Sequence, residues 1–348
     1  MRAMTVLGSV DVSELGTVMM HEHLLHDQEG DPCWFEPLAG AEGERLADAP
    51  ITMDVLGFLR RSPFPIRANT RLERSDPMGE ELHAYARAGG GTVVELTSRG
   101  LQPDPEGIAA ISREAGVHVV AGCGFYVDHS IPDIDGQEPE FVAEKIVRDL
   151  RVGIAGTAVR AGIIGEVGTS IEITPREETS LRAAGMAAAE TGAAVMVHLG
   201  MTGEQAFAAF RILTGEGAAP DRIVMNHMDE ANDPHYSRRV LALGCVIEFD
   251  TLGSEWYYDS WKTWEPRDTD RVSHLAGLCR DGFAEHITLS QDVFYKQNLR
   301  ACGGFGFDHV LTTIVPMLRD AGVSEPQVRS MLQDTPRRLL GVEELETA

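Results

Sequence analysis

The sequence predicts an α/β protein, a (β/α)₈ TIM barrel, and three observations carry that reading. Eight apolar runs of strand length recur, at 18–25, 92–97, 118–126, 161–167, 194–199, 222–228, 245–251 and 286–292. Several are continuously apolar rather than alternating, as strands buried on both faces of a parallel sheet should be. The gaps hold helical patterns, and strand–helix alternation over 348 residues has the length and rhythm of a closed barrel. An open doubly wound sheet would place phosphate-cradling glycines in its first strand–helix turn. That turn reads HEHLLHDQEG and lacks the pattern.

Residues 1–17 precede the first strand and are short enough for a hairpin. The first strand ends in His21-Glu22-His23, and a long connection, 27–75, separates it from the first clear helix. Residues 139–150 carry apolar positions at helical spacing. Thr174-Pro175-Arg176-Glu177 is a capping box with proline at the first helical position, opening a helix that ends near Gly192. Thr202-Gly203-Glu204-Gln205 opens another helix and Ser324-Glu325-Pro326-Gln327 a third. A second long loop, 252–270, follows strand seven and holds Trp256, Trp261 and Trp264. Long loops at one end of a barrel form lids and substrate walls, so Trp256 is a candidate substrate contact, with packing inside the loop as the alternative. No linker, low-complexity tract or repeat divides the chain, which reads as one barrel domain over 1–348 with insertions at 27–75 and 252–270.

The formal net charge is −24, from 54 acidic against 30 basic residues. Such a surface repels phosphate backbones and anionic headgroups, which argues against nucleic acid and membrane partners and leaves a small molecule. An anionic substrate would need a cation in the pocket. The five cysteines, Cys33, Cys123, Cys245, Cys279 and Cys302, show no metal-finger spacing and suggest reduced thiols. With no signal-like start and no run of about 18 apolar residues, the expected compartment is the cytoplasm. Assembly as a homodimer is left open.

The chemistry lies at the strand ends. His21 and His23 are two apart on a strand and so share a face. Glu166 ends strand four, and an unpaired carboxylate there would cost several kcal/mol unless paired or bound to a metal. His198 ends strand five, His227 strand six and Asp292 strand eight. Each alone can be a satisfied core residue. Together they gather at the C-terminal face, where barrel enzymes place their chemistry. Imidazoles with carboxylates favour zinc, manganese or iron. Six ligands are too many for one open catalytic ion and suit two ions sharing a carboxylate.

The segments VMMHEH, AGIIGEVGTS, VMVHLG, IVMNHMDE and ITLSQD resemble the phosphotriesterase family of the amidohydrolase superfamily. GGGTVVELTSRG, VIEFDTLGSE and CGGFGFDHVLTTIVPML are similar to its phosphotriesterase-related, resiniferatoxin-binding branch. The resemblance implies a binuclear centre, with His21, His23 and Asp292 on the buried ion and His198 and His227 on the more exposed one. Where phosphotriesterases bridge the ions with a carboxylated lysine, Glu166 stands, 32 residues before His198 (198 − 166). That implies a glutamate-bridged variant. Phosphotriesterases follow the strand-seven aspartate with histidine and related lactonases with arginine. Here the pair is Asp250-Thr251, which speaks against both activities. Glu248 and Asp250 share a strand face, and either can be an acid behind the ligands or a structural pair.

The implied reaction is hydrolysis of a small anionic carboxylic derivative, an amide, ester or lactone, by a hydroxide bridging two divalent ions. Asp292 would orient the nucleophile and carry its proton to the leaving group. Tyr126, ending strand three, is a candidate hydrogen-bond donor to the substrate carbonyl. Lys296, four residues past Asp292, is a candidate anchor for a substrate anion, with an ordinary surface lysine as the alternative. The rivals are phosphoester or phosphotriester hydrolysis, a TatD-type nuclease and a non-catalytic ligand-binding barrel.

Overall fold

The computed structural model describes residues 1–200 and 203–343. Strands β1 (Arg2–Thr5) and β2 (Gly8–Asp11) form an antiparallel hairpin ahead of the barrel. The barrel strands are β3 (Thr17–Glu22), β4 (Gly90–Glu95), β5 (His118–Cys123), β6 (Ile163–Gly168), β7 (Val195–His198), β8 (Ile223–Met225), β9 (Val246–Phe249) and, after a small hairpin of β10 (Tyr257–Tyr258) and β11 (Thr263–Trp264), β12 (Ile287–Leu289). The eight pair in parallel in chain order, each falling on one of the expected apolar runs. The ends of this nearly closed sheet are joined by polar groups instead of a regular ladder. Asp292 N donates to His21 O at 3.2 Å. The Glu22 carboxylate accepts from Ser290 Oγ at 2.7 Å and from Gln291 N and Val293 N at 3.1 and 2.9 Å.

The helices are α1 (Gly40–Ala47), α2 (Met53–Leu59), α3 (Met78–Arg87), α4 (Pro105–Ala115), α5 (Pro139–Arg151), α6 (Pro175–Thr191), α7 (Ala206–Gly215), α8 (Pro234–Leu241), α9 (Asp268–Arg280), α10 (Val315–Asp320), α11 (Glu325–Arg329) and α12 (Thr335–Leu340). The capping boxes at Thr174 and Ser324 form as the sequence suggests, and α6 ends on left-handed Gly192. The opening at Thr202 lies outside the described residues, and α7 itself has no side-chain cap. The connection 27–75 is more ordered than expected of a loop: α1 and α2 pack Leu46, Val55, Leu59 and Ile66 into a small core of their own.

Alternate strand residues serve two layers. Val18, Met20, Val94, Val120, Ile163, Met196, Val224 and Val246 fill the barrel, plugged at one end by Ala3 and Leu15 and by Leu339 and Leu340 of α12. Their neighbours Met19, Val93, Val119, Ile164, Val195, Val197, Met225 and Ile247 face the helices. This is the period-two alternation of a strand buried on both faces. No helix among the described residues is long and apolar enough to cross a membrane.

Candidate metal centre

Two irregularities turn the key side chains inward. By strict alternation from Val18 and Met20, His21 would face the helices. A register shift between Met19 and Glu22 in β3 reverses the parity and points both imidazoles of HEH into the mouth. A second shift, between Ile164 and Val167 in β6, does the same for Glu166. His227 and Asp292 stand just past their strands at φ 58 and 46, left-handed values uncommon for residues with a Cβ. Such conformations concentrate at functional sites, where the surroundings hold them in place.

The six side chains singled out at the strand ends come together. Glu166 lies between two groups, one with His21 and His23 and one with His198 and His227; Asp292 joins His21 and His227. Glu166 Oε2 is 3.5 Å from His21 Nε2, 3.6 Å from His227 Nε2 and 3.1 Å from His198 Nδ1, while its Oε1 is 3.6 Å from His23 Nε2. Asp292 Oδ1 is 3.3 Å from His23 Nε2 and 3.8 Å from His21 Nε2.

The outer nitrogens have partners that set the tautomers. Asp250 accepts from His21 Nδ1 at 3.0 Å and from His227 Nδ1 at 2.9 Å, and also from His227 N at 3.0 Å. Of the two strand-seven acids it is therefore Asp250 that stands behind the imidazoles. His23 Nδ1 contacts Thr97 Oγ1 at 3.0 Å. With Nδ1–H committed to Asp250, the Nε2 lone pairs of His21 and His227 point at the centre. Glu22 accepts the amides on both sides of Asp292 and so fixes the last carboxylate.

The donor set suits divalent transition ions. His21 Nε2 and Asp292 Oδ1 are buried with no hydrogen-bond partner, and the two ring nitrogens His198 Nδ1 and His227 Nε2 face each other at 2.9 Å. Converging lone pairs on imidazole and carboxylate are left unsatisfied by protein but would be satisfied by a cation. Without one, protons take that place. Burial disfavours the charged imidazoles of His21 and His227, but Glu166 and Asp250 respectively lead the opposing charges and hold both pKa values well above the ordinary histidine value. Burial likewise opposes ionisation of Glu166, yet His21 and His198 hold it well below the usual carboxylate range.

The centre opens into a cavity of about 950 Å³. Tyr126 and Trp256 line it. The Tyr126 hydroxyl accepts from Trp34 Nε1 at 3.2 Å and stands 3.5 Å from His198 Nδ1. A Cβ at Gly168 would lie 2.3 Å from the Tyr126 carbonyl carbon, so glycine there lets the Tyr126 backbone pass over β6. Lys296 requires a correction. It does not line the cavity; its ammonium is held by Glu73 at 3.1 Å and Asp76 at 3.0 Å, on the first long connection. Four residues of separation in sequence place it beside the mouth, but two nearby carboxylates turn it away. The sequence reading also missed Trp34, Tyr258 and Glu230, which line the cavity. Only the aromatic richness of 252–270 hinted at Tyr258.

The model of the phosphotriesterase family matches residues 1–340. The N-acetyltaurine hydrolase of Salmo salar is 34% identical over 344 residues, covering 97% of each chain. The phosphotriesterase-related protein of Nematostella vectensis is 32% identical over 348 residues, covering 97% of this chain and 98% of its own. The solved resiniferatoxin-binding protein from Rhodobacter sphaeroides superposes with a TM-score of 0.93 at 35% identity, over 97% of this chain and 94% of that one. The phosphotriesterase homology protein from Escherichia coli, solved with phosphate in its active site, gives a TM-score of 0.77 at 27% identity, over 94% and 99%. On the family match and the full-length relatives, this chain belongs to the phosphotriesterase family and is a metal-dependent hydrolase.

Proposed function

We propose that the cavity hydrolyses an amide bond of a small molecule, with two divalent ions of zinc type held by His21, His23, Glu166, His198, His227 and Asp292. Esters and lactones are the neighbouring substrates. The observation that carries the reading is the convergence of six donor side chains, two of them with buried and unpartnered ligating atoms. The relatives named N-acetyltaurine hydrolase support an amide as the bond cleaved. When bound, such ions supply Lewis acidity that brings the pKa of water toward neutrality and polarises a carbonyl.

The protein's own groups do the rest. Asp250 keeps the Nε2 lone pairs of His21 and His227 turned inward, and Thr97 does so for His23. Glu166 is already a carboxylate and reaches both groups of histidines, so it serves where a carboxylated lysine would otherwise be needed. Asp292 accepts the proton of the attacking water and returns it to the leaving nitrogen. Burial raises the Tyr126 phenol well above its ordinary pKa, so it stays protonated and able to donate to the carbonyl oxygen. Trp256, buried in the wall, packs against the substrate's body.

A second reading, phosphoester hydrolysis, draws on the phosphate held by the Escherichia coli relative. Against it stands Thr251, whose hydroxyl donates to Asp229 at 2.9 Å and accepts from Arg271 at 2.7 Å and so is committed to the wall. The test is elemental analysis after reconstitution with zinc, followed by a screen of N-acyl amines, lactones and phosphoesters. About two equivalents of metal and amide turnover that disappears with chelator are the expected results. One equivalent or none overturns the binuclear reading, and turnover of phosphoesters alone overturns the amide.

A further inference from the structure

Trp34 reaches the cavity from the first long connection, where the chain is held on either side of it. Cys33 N donates to Asp27 Oδ2 at 2.9 Å, and Glu36 N to Phe64 O at 3.2 Å. The indole is wedged among rings, edge-on to His129 and Trp261 at 5.4 and 6.2 Å and stacked on Phe64 at 6.2 Å. Its Nε1 meets the Tyr126 hydroxyl at 3.2 Å, and both residues line the cavity. A phenyl ring would cover the same wall, but it would bring no donor to this oxygen.

Tyr126 cannot turn away from that contact. It is buried, packed with Leu101, Val127 and Phe294, and its N donates to Arg99 O at 2.8 Å. A phenol O–H lies near the ring plane and has two orientations, one on each side of the C–O bond. An indole N–H is a donor only, so it occupies a lone pair on one side and leaves the Tyr126 proton to the other. Among the described residues the hydroxyl has one further neighbour, His198 Nδ1 at 3.5 Å. That nitrogen also faces His227 Nε2 at 2.9 Å and Glu166 Oε2 at 3.1 Å, so its lone pair belongs to the centre. The phenolic proton is left for an acceptor in the cavity, beside the centre. Accepting one hydrogen bond also polarises the O–H and strengthens the bond it donates.

Resting on the reading of Tyr126 as the donor to the reacting carbonyl, we propose that Trp34 is the positioning residue for that donor: its Nε1–H fixes the rotor of the Tyr126 hydroxyl, so that the proton faces the carbonyl oxygen before substrate arrives. A donor held in place beforehand needs no reorganisation as charge develops on that oxygen. Its contribution therefore falls on turnover more than on binding. Trp34 touches Tyr126 rather than the reacting atoms and acts through it.

The test is a double-mutant cycle on zinc-loaded protein with N-acetyltaurine as the amide, using Trp34→Phe and Tyr126→Phe alone and together. Trp34→Phe should lower kcat about five- to twentyfold and leave KM within about twofold, whereas Tyr126→Phe, which removes the donor itself, should lower kcat about a hundredfold. Adding Trp34→Phe to Tyr126→Phe should cost no more than about twofold further, because the group it positions is gone. Additive losses, or a raised KM with kcat unchanged, overturn the proposal and leave Trp34 a wall residue. A second readout needs no turnover. The indole N–H resonance of Trp34, identified by its absence from Trp34→Phe, should move upfield in Tyr126→Phe and exchange faster with solvent; an unmoved resonance also overturns the proposal. Should Trp34→Phe not fold, a benzothienyl side chain at position 34, with sulfur in place of the N–H, removes the donor from a ring of similar shape. Absence of amide turnover in the wild type would count against the amide reading, and the indole resonance of metal-free protein would still decide whether Trp34 holds the hydroxyl.

Discussion

Replacing Asp250 by Asn would test the electrostatic frame of the centre with almost no change of volume. Asp250 is fully buried, and its two oxygens serve two imidazoles on different strands, His21 Nδ1 at 3.0 Å and His227 Nδ1 at 2.9 Å. An asparagine has one acceptor oxygen, so at least one of those Nδ1–H groups meets an NH₂. The ring concerned can relieve the clash by moving its proton to Nε2, which removes the inward lone pair. Loss of an outer partner of a ligating histidine weakens metal binding about 10–100-fold, or roughly 1.4–2.8 kcal/mol. Because His21 and His227 belong to different groups around Glu166, one ion should be affected by that factor and the other less. Competition of the protein with a graded series of zinc chelators resolves the two steps, and thermal melting of the metal-free variant separates loss of fold from loss of metal. An Asp250→Asn protein that binds both ions with wild-type affinity would refute the assignment of Asp250 as the group that orients His21 and His227.

Four further outcomes follow from the same geometry. His21 and His227 have raised pKa values in the metal-free protein, so metal binding at pH 7 should release about two protons and tighten as pH rises; calorimetry in buffers of different ionisation enthalpy counts them, and zero release contradicts the protonated pair. By the same sign, these groups favour the metal-free fold fully below about pH 6.5 and less as pH climbs through their raised values. Glu166→Ala should lose the second ion, and wild-type activity should be indifferent to bicarbonate during reconstitution; retention of both ions and full turnover by the variant would make Glu166 a core residue only. Lys296→Met should lower stability by about 1 kcal/mol, because Asp76 loses its cation while half-buried Glu73 is screened by solvent, and should leave KM for small amides in place; a raised KM without loss of stability would return Lys296 to the pocket.

The eight strands were legible because burial on both faces leaves a local mark, a short apolar run such as Val195–His198, whatever the rest of the chain does. The chemistry was legible for a related reason: polar, ligating residues that interrupt such runs at their ends are costly to bury, so HEH, Glu166, His198, His227 and Asp292 stand out against their surroundings. Which way those residues face is another matter. Alternation counted from Val18 and Met20 sends His21 outward, and counted from Ile163 it sends Glu166 outward; the shifts in β3 and β6 that reverse both arise from pairing with neighbouring strands. The choice between Glu248 and Asp250, the helices α1 and α2 within 27–75, and the capture of Lys296 by Glu73 and Asp76 likewise depend on contacts between distant parts of the chain. Composition and periodicity are properties of a segment and survive without its partners. Register, loop packing and the pairing of charges exist only between segments, and only the tertiary structure could decide them.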